Sequence, residues 1–249
     1  MKPILSIILL FLVGQNITAQ IVNIEDRRTT FTDSVGWYEN LDVGFSFSQN
    51  KESVSTLHGS FQIEVHQKKR SFLSISQFTF VKAGGERFVN QGFQHLRFTR
   101  ELSNNLSLES FGQIQYNQLI FIKLRALAGG GLRFRLVNRV KEKVNFGVST
   151  MYEYDEEKGD VSRDDIRMST YFSAAIRLGE SAIISSTSYF QPLVNKIADY
   201  RMSTESQLRL TLLGNVSFIN TFSLTYDSRA PEGEVTTSYR LTSGMSYVF

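Results

Sequence analysis

The chain contains no cysteine. That excludes disulfides, a thiolate metal centre, a cysteine nucleophile and a lipid-modified amino-terminal cysteine. It also lacks an apolar run long enough for a membrane helix: Ile4 to Val13 is ten residues, against the roughly 20 that cross a bilayer. No helical periodicity of useful length occurs. Charge of one sign is missing too, with 27 basic against 24 acidic residues, a balance that argues against a nucleic-acid footprint. Histidines are scarce: His58, His66 and His95. None has a recognisable serine motif beside it, so no catalytic residue and no enzymatic activity are expected.

What is present begins with an export signal. Lys2, the apolar run and the small-residue exit ending at Ala19 read as a secretory signal peptide over residues 1–19, cleaved before Gln20. Removing Lys2 leaves 26 basic residues against the 24 acids. From Leu41 onward apolar and polar residues alternate. Twelve strands are expected near residues 41–49, 54–66, 71–81, 88–99, 107–116, 123–137, 144–154, 165–178, 182–190, 200–212, 216–226 and 236–249. Most reach the about 9–11 residues of a tilted membrane strand. Compact breaks such as Gln67–Arg70 and Gly179–Ser181 belong on the periplasmic side. Longer ones, Asp155–Asp164, Gln191–Asp199 and Asp227–Val235, belong outside.

In the nine strands with the clearest period the charges fall on one face only. Leu41, Val43, Phe45, Phe47, Leu57, Phe61, Leu132, Phe134, Phe146, Val148, Ile166, Phe172, Leu208, Leu210, Phe218 and Phe222 share a face free of charge. The other face carries Asp42, Glu64, Arg97, Glu109, Arg125, Arg133, Arg135, Glu153, Asp165, Arg167, Arg177, Arg201, Glu205, Arg209 and Arg240. An Arg or Lys facing lipid at the midplane costs about 2–4 kcal/mol, so lipid exposure enforces this sorting. A soluble sandwich or lipocalin-like barrel would turn the apolar face inward. The aromatic ending at Phe249, the missing cysteines in an exported chain and aromatics near strand ends favour the membrane. Mean hydropathy is only −0.16, as expected when alternate side chains face a polar lumen.

The polar face is therefore the expected lumen lining, with Arg97, Arg125, Arg133, Arg135, Arg167, Arg177, Arg201, Arg209 and Arg240 beside Glu64, Glu109, Glu153 and Glu205. Its arginine surplus suits either an anion-preferring pore or a lumen crossed by Arg–carboxylate pairs, and the packed reading is preferred. Ala128-Gly129-Gly130-Gly131 lies inside a strand and so fails as a phosphate loop; glycine there permits curvature or a close neighbouring backbone. The acidic stretch Asp155–Asp160 departs from calcium-loop spacing and reads as solvated, so no metal or cofactor is expected. The last strand places Tyr239, Leu241, Met245, Tyr247 and Phe249 on one face. That ending resembles the signal read by the outer-membrane barrel assembly machinery.

Several segments, in order, resemble a known family: Gly36-Trp37-Tyr38, Gln115-Tyr116-Asn117, Leu124 to Phe134, Tyr189-Phe190-Gln191-Pro192 and Tyr226 to Pro231. They are similar to the domain of unknown function 481, which includes salt-induced outer-membrane proteins, and Gln20 to Arg28 resembles versions from Bacteroidota. The resemblance implies an outer-membrane barrel and brings no enzyme site, ligand or cofactor.

The expectation is an all-β protein: a transmembrane antiparallel up-and-down β-barrel of about twelve strands over residues 41–249, after a short periplasmic segment at 20–40. It would sit in the outer membrane of a Gram-negative bacterium, with strand twelve pairing strand one. Its partners would be membrane lipid, the assembly machinery and an envelope protein complex, with no nucleic acid. A small passive channel or structural envelope protein is the leading role, and an interaction subunit of a larger complex is the alternative. Deleting Phe249 is expected to lower the fraction of membrane-inserted, heat-modifiable protein on gels; unchanged assembly would remove the terminal residue from the signal.

Overall fold

The computed structural model describes residues 23–25, 28, 35–49, 53–84, 86–118, 122–157, 162–229 and 236–247. The expected signal peptide and Phe249 lie outside them. Every expected strand is present: β1 (Gly36–Gln49), β2 (Ser53–Gln67), β3 (Arg70–Ala83), β4 (Glu86–Ser103), β5 (Leu106–Asn117), β6 (Ile122–Asn138), β7 (Glu142–Glu157), β8 (Ser162–Leu178), β9 (Ala182–Leu193), β10 (Lys196–Leu213), β11 (Val216–Asp227) and β12 (Thr237–Tyr247). Each pairs antiparallel with the next in one twelve-stranded up-and-down sheet.

The period-two pattern explains which way each side chain points. Phe45 is 70% exposed and Phe172 48%, whereas Glu153 is 1% and Arg167 3% exposed. Among the described residues the buried polar side chains outnumber the buried hydrophobic ones. Apolar residues outside and ions inside are the inverse of a soluble sheet protein and the arrangement of a transmembrane barrel. The sheet curls until distant strands meet: Tyr171 on β8 donates to Glu109 on β5 at 3.1 Å, and Arg201 on β10 donates to Glu153 on β7 at 2.9 Å.

The structure departs from expectation in three places. β1 starts at Gly36 rather than 41 because Trp37 and Tyr38 continue the ladder against Val65 and Glu64. The break at Gln191–Asp199 shrinks to Val194-Asn195, since Asp199 points inward and is held by Arg167 at 3.2 Å. No β1–β12 ladder occurs among the described residues, where β1 pairs β2 and β12 pairs β11. β1 and β12 are the first and last strands of the sheet order.

One end of the barrel is finished by tight turns at 68–69, 104–105, 139–141, 179–181 and 214–215; we call it the turn end. The opposite, loop end carries the longer connections at 158–161 and 228–236.

Phe172 tests the outward face, standing opposite Phe146 and Ser188 in the ladder. Phe172→Arg is expected to destabilise the barrel in lipid vesicles by about 2–4 kcal/mol, read from urea titration of the heat-modifiable band. Water on that face would instead hold the change within about 0.5 kcal/mol, as at ordinary surface positions.

Candidate functional site

The lumen is occupied by the chain itself. Ile24 packs on the inward side chains Leu73 and Ile75 of β3, with Phe93 of β4 against them. Glu25 and Arg28 extend the same segment into a charged centre. Glu25 Oε1 accepts from Arg97 Nη1 at 3.3 Å and Oε2 from Arg133 Nη1 at 2.6 Å, and Arg28 Nε lies 3.1 Å from Glu25 Oε1. Arg28 Nη2 reaches Glu109 at 2.6 Å, which also takes Arg97 at 3.4 Å and the Tyr171 hydroxyl at 3.1 Å. Strands β4, β5, β6 and β8 thereby all converge on one short segment. This corrects the expectation that residues 20–40 form a periplasmic extension: Asn23–Glu25 and Arg28 sit within the barrel, and residues 36–40 belong to β1.

A second ionic group bridges β6 to β11. Arg201 Nη1 donates to both oxygens of Glu153 at 2.9 Å, and its Nε donates to Asp227 at 3.1 Å. Arg125 Nε donates to Asp155 at 3.2 Å. Arg167 approaches Glu153 at 3.5 Å, Asp199 at 3.2 Å and Asp165 at 3.7 Å, and Arg229 caps Asp199 at 3.1 Å. The first group holds three guanidiniums and two carboxylates, the second four and five, so together they balance at seven of each sign. The surplus of arginine expected from the strand pattern is cancelled at the centre of the lumen. Its missing partners are Glu25, assigned beforehand to the periplasm, and Asp155, Asp199 and Asp227, assigned to outer loops.

The remaining expected lining residues are spread along the barrel. Glu64 is buried 2.8 Å from His66, and Glu205 accepts from Ser223 at 3.0 Å. Arg135 pairs with Glu101 at 2.9 Å near the turn end, and Arg177 sits there half-buried, its backbone N–H donating to Lys141. Arg209 is half-buried on β10 and Arg240 exposed on β12; neither has an ion pair among the described residues. The proposed assembly residues Tyr239, Leu241 and Met245 are exposed on β12, and Tyr247 stands opposite Val216.

Close approach shapes the wall around the first group. A Cβ at Gly147 would overlap the Tyr171 ring, and one at Gly131 would overlap the Val148 carbonyl and Ser149. Small residues therefore let β6 and β7 lie close and let Tyr171 reach Glu109, as expected of the glycines at 129–131. Tyr171 itself was missed, although its odd number places it on the inward face of β8 beside Arg167.

Two cavities flank the segment. One of about 370 Å³ opens at the turn end, lined by Glu25, Arg28, Lys68, Arg70, Arg133 and Arg135 among others. The other, about 290 Å³, lies toward the loop end beside β2 to β5, with Asn23, Gln77, Gln91 and Asn117 in its wall. Asn23 thus faces one space and Glu25 with Arg28 the other. Ile24 lies between, where only about 40 Å³ is left among His95, Arg97, Arg125 and Arg201.

Buried ion pairs of this kind resist the loss of one partner more than they add net stability, because the abandoned charge stays buried. Arg201→Met leaves Glu153 and Asp227 without their main cation and is expected to lower unfolding stability by about 3–5 kcal/mol in urea titrations. Arg201→Lys restores only part of it, since a single ammonium cannot serve Glu153 and Asp227 with two separately placed nitrogens.

A family model described as "Protein of unknown function, DUF481" matches residues 41–249. No curated protein matches the chain. Among solved structures, the NanC porin in a rhombohedral crystal form aligns with a TM-score of 0.49 at 12% identity, over 84% of this chain and 100% of that one. Since the matched region runs from Leu41 to Phe249 and so takes in nearly the whole barrel, the chain belongs to the DUF481 family.

Proposed function

We propose that the protein is an integral outer-membrane barrel acting as a passive conduit, held shut by its own amino-terminal segment. The observation that carries this reading is the position of Asn23–Glu25 and Arg28 between two lumen cavities, fastened by ion pairs from Glu25 and Arg28 to strand-borne partners. A filler needed only for stability could be built from wall side chains. Here residues outside the strands and preceding the family-matched region, Ile24, Glu25 and Arg28, supply it.

The apolar outer face supports residence in a bilayer, and the signal-like residues 1–19 and the aromatic ending support export and assembly in a Gram-negative outer membrane. Lipid and the barrel assembly machinery would then be its partners. The chemistry is non-enzymatic: the guanidinium–carboxylate groups are engaged with one another in closing the lumen. A second reading, a structural or docking protein of an envelope complex, draws on the charge-balanced bridge from β6 to β11, which stiffens the lumen whether or not anything passes.

Planar-bilayer recording separates them. The intact chain is expected to be almost silent, and Glu25→Ala combined with Arg28→Ala to give discrete conductance steps. No current from either protein, both proven folded by their heat-modifiable mobility, would favour the structural role.

A further inference from the structure

The Glu25 carboxylate rests in a place built by other elements. Arg97 and Arg133 stand on β4 and β6, Glu109 on β5 and the Tyr171 hydroxyl on β8, and all of these stay where they are if the segment leaves. Arg28 departs with it. What remains is one buried guanidinium, Arg97, and one half-buried, Arg133, facing one carboxylate, a net charge of +1 with room for a second carboxylate. The donors point at that position already, at 3.3 Å from Arg97 and 2.6 Å from Arg133. Arg133 is also fixed by the Tyr171 hydroxyl at 3.2 Å and lies over the Tyr171 ring.

Access to this position comes through the turn-end cavity. Lys68, Arg70, Arg133, Arg135 and Lys143 line it, opposed by Glu64 and Glu101, once Glu25 and Arg28 are set aside together. A cleft lined by one sign of charge concentrates ions of the other. Its volume of about 370 Å³ lies within the about 300–1,000 Å³ usual for small-molecule sites, and paired guanidiniums favour carboxylates over neutral polar solutes.

We propose that this cradle is an anion-binding site filled by the chain's own Glu25, and that a small organic carboxylate entering the turn-end cavity binds there in its place and frees the segment. The site rests on the lumen placement of Asn23–Glu25 and Arg28 described above, and does not require that the barrel conduct.

The natural absence of cysteine allows a clean test, because Asn23→Cys introduces the only thiol. Asn23 is 9% exposed, so maleimide labelling of the full-length folded variant in detergent micelles should be slow. Succinate is expected to accelerate labelling at least tenfold and saturably. Succinamide, or sodium chloride at matched ionic strength, should leave the rate unchanged. Equal acceleration by either control, or none by succinate, overturns the proposal. A second variant guards against misfolding of the first. Glu25→Ala, which empties the cradle, should gain melting temperature with acetate and none with acetamide, while the native chain responds to neither at the same concentrations. A shift of the same size with acetamide, or no shift, also overturns it. Succinate-dependent labelling in a barrel that passes no current would leave the anion site standing and remove the conduit.

Discussion

Pairing of buried guanidiniums with buried carboxylates is the constraint on which the rest of this barrel depends. With its apolar side chains turned outward, the protein has almost no conventional core: Ile24, Leu73 and Ile75 form the buried apolar cluster. The interior must be filled by polar groups, and an ion taken from water needs a partner at good geometry and further hydrogen bonds to offset its desolvation. Arg201 illustrates the requirement, donating to Glu153 and to Asp227. So does Glu109, which gathers Arg28, Arg97 and Tyr171 from three separate elements. Strand length, glycine placement and the inward segment all follow from satisfying these groups. Gly147 makes room for Tyr171, and β9 and β10 extend past their apolar alternation so that Asp199 can meet Arg167.

The same constraint explains what could be read beforehand. Alternation at Leu41-Asp42-Val43 or Leu132-Arg133-Phe134 assigns each side chain to lipid or lumen without reference to any partner, because the period of a strand is a local property. Twelve strands, their order and the inward direction of Arg97, Arg125, Arg133, Arg167, Arg201, Glu109 and Glu153 were legible for that reason. The pairings were not. Arg201 is 48 residues from Glu153 and Arg133 is 108 from Glu25, distances that curvature of the sheet closes and that no local pattern encodes. Acids beyond the last apolar residue of a strand, such as Asp155 and Asp227, look like loop residues until their arginines are located. Glu25 lies outside any alternation and bears no mark of a lumen residue.

The outer edges of β1 and β12 belong to the same physics. Unpaired backbone groups at a sheet edge are costly in hydrocarbon, where water cannot satisfy them, and the two edges here lack a mutual ladder among the described residues. Their inward side chains are correspondingly the least engaged of the barrel: Asp42 and His58 are 65% and 52% exposed at 3.5 Å from one another, and Arg240 on β12 is exposed as well. The dense ionic bridges run from β4 to β11. Rigidity is therefore distributed unevenly over the sheet, greatest where arginine pairs cross strands.

That asymmetry bears on how the inner segment can move. Glu25 and the start of β1 at Gly36 are eleven residues apart, a span that chain geometry limits to about 40 Å. Glu25 released from Arg97 and Arg133 therefore cannot diffuse away and returns as a tethered competitor. Short tethers give effective concentrations in the millimolar range, so a free carboxylate must reach a comparable concentration to hold the cradle against Glu25. Two contacts shift this balance further toward closure: Arg28 on Glu109 and Ile24 on Leu73 and Ile75, neither of which an incoming anion replaces. An occupant able to reach Lys68 or Arg70 at the cavity rim would recover part of that difference through a second anionic group. The geometry consequently selects a solute with two separated carboxylates over one with a single charge.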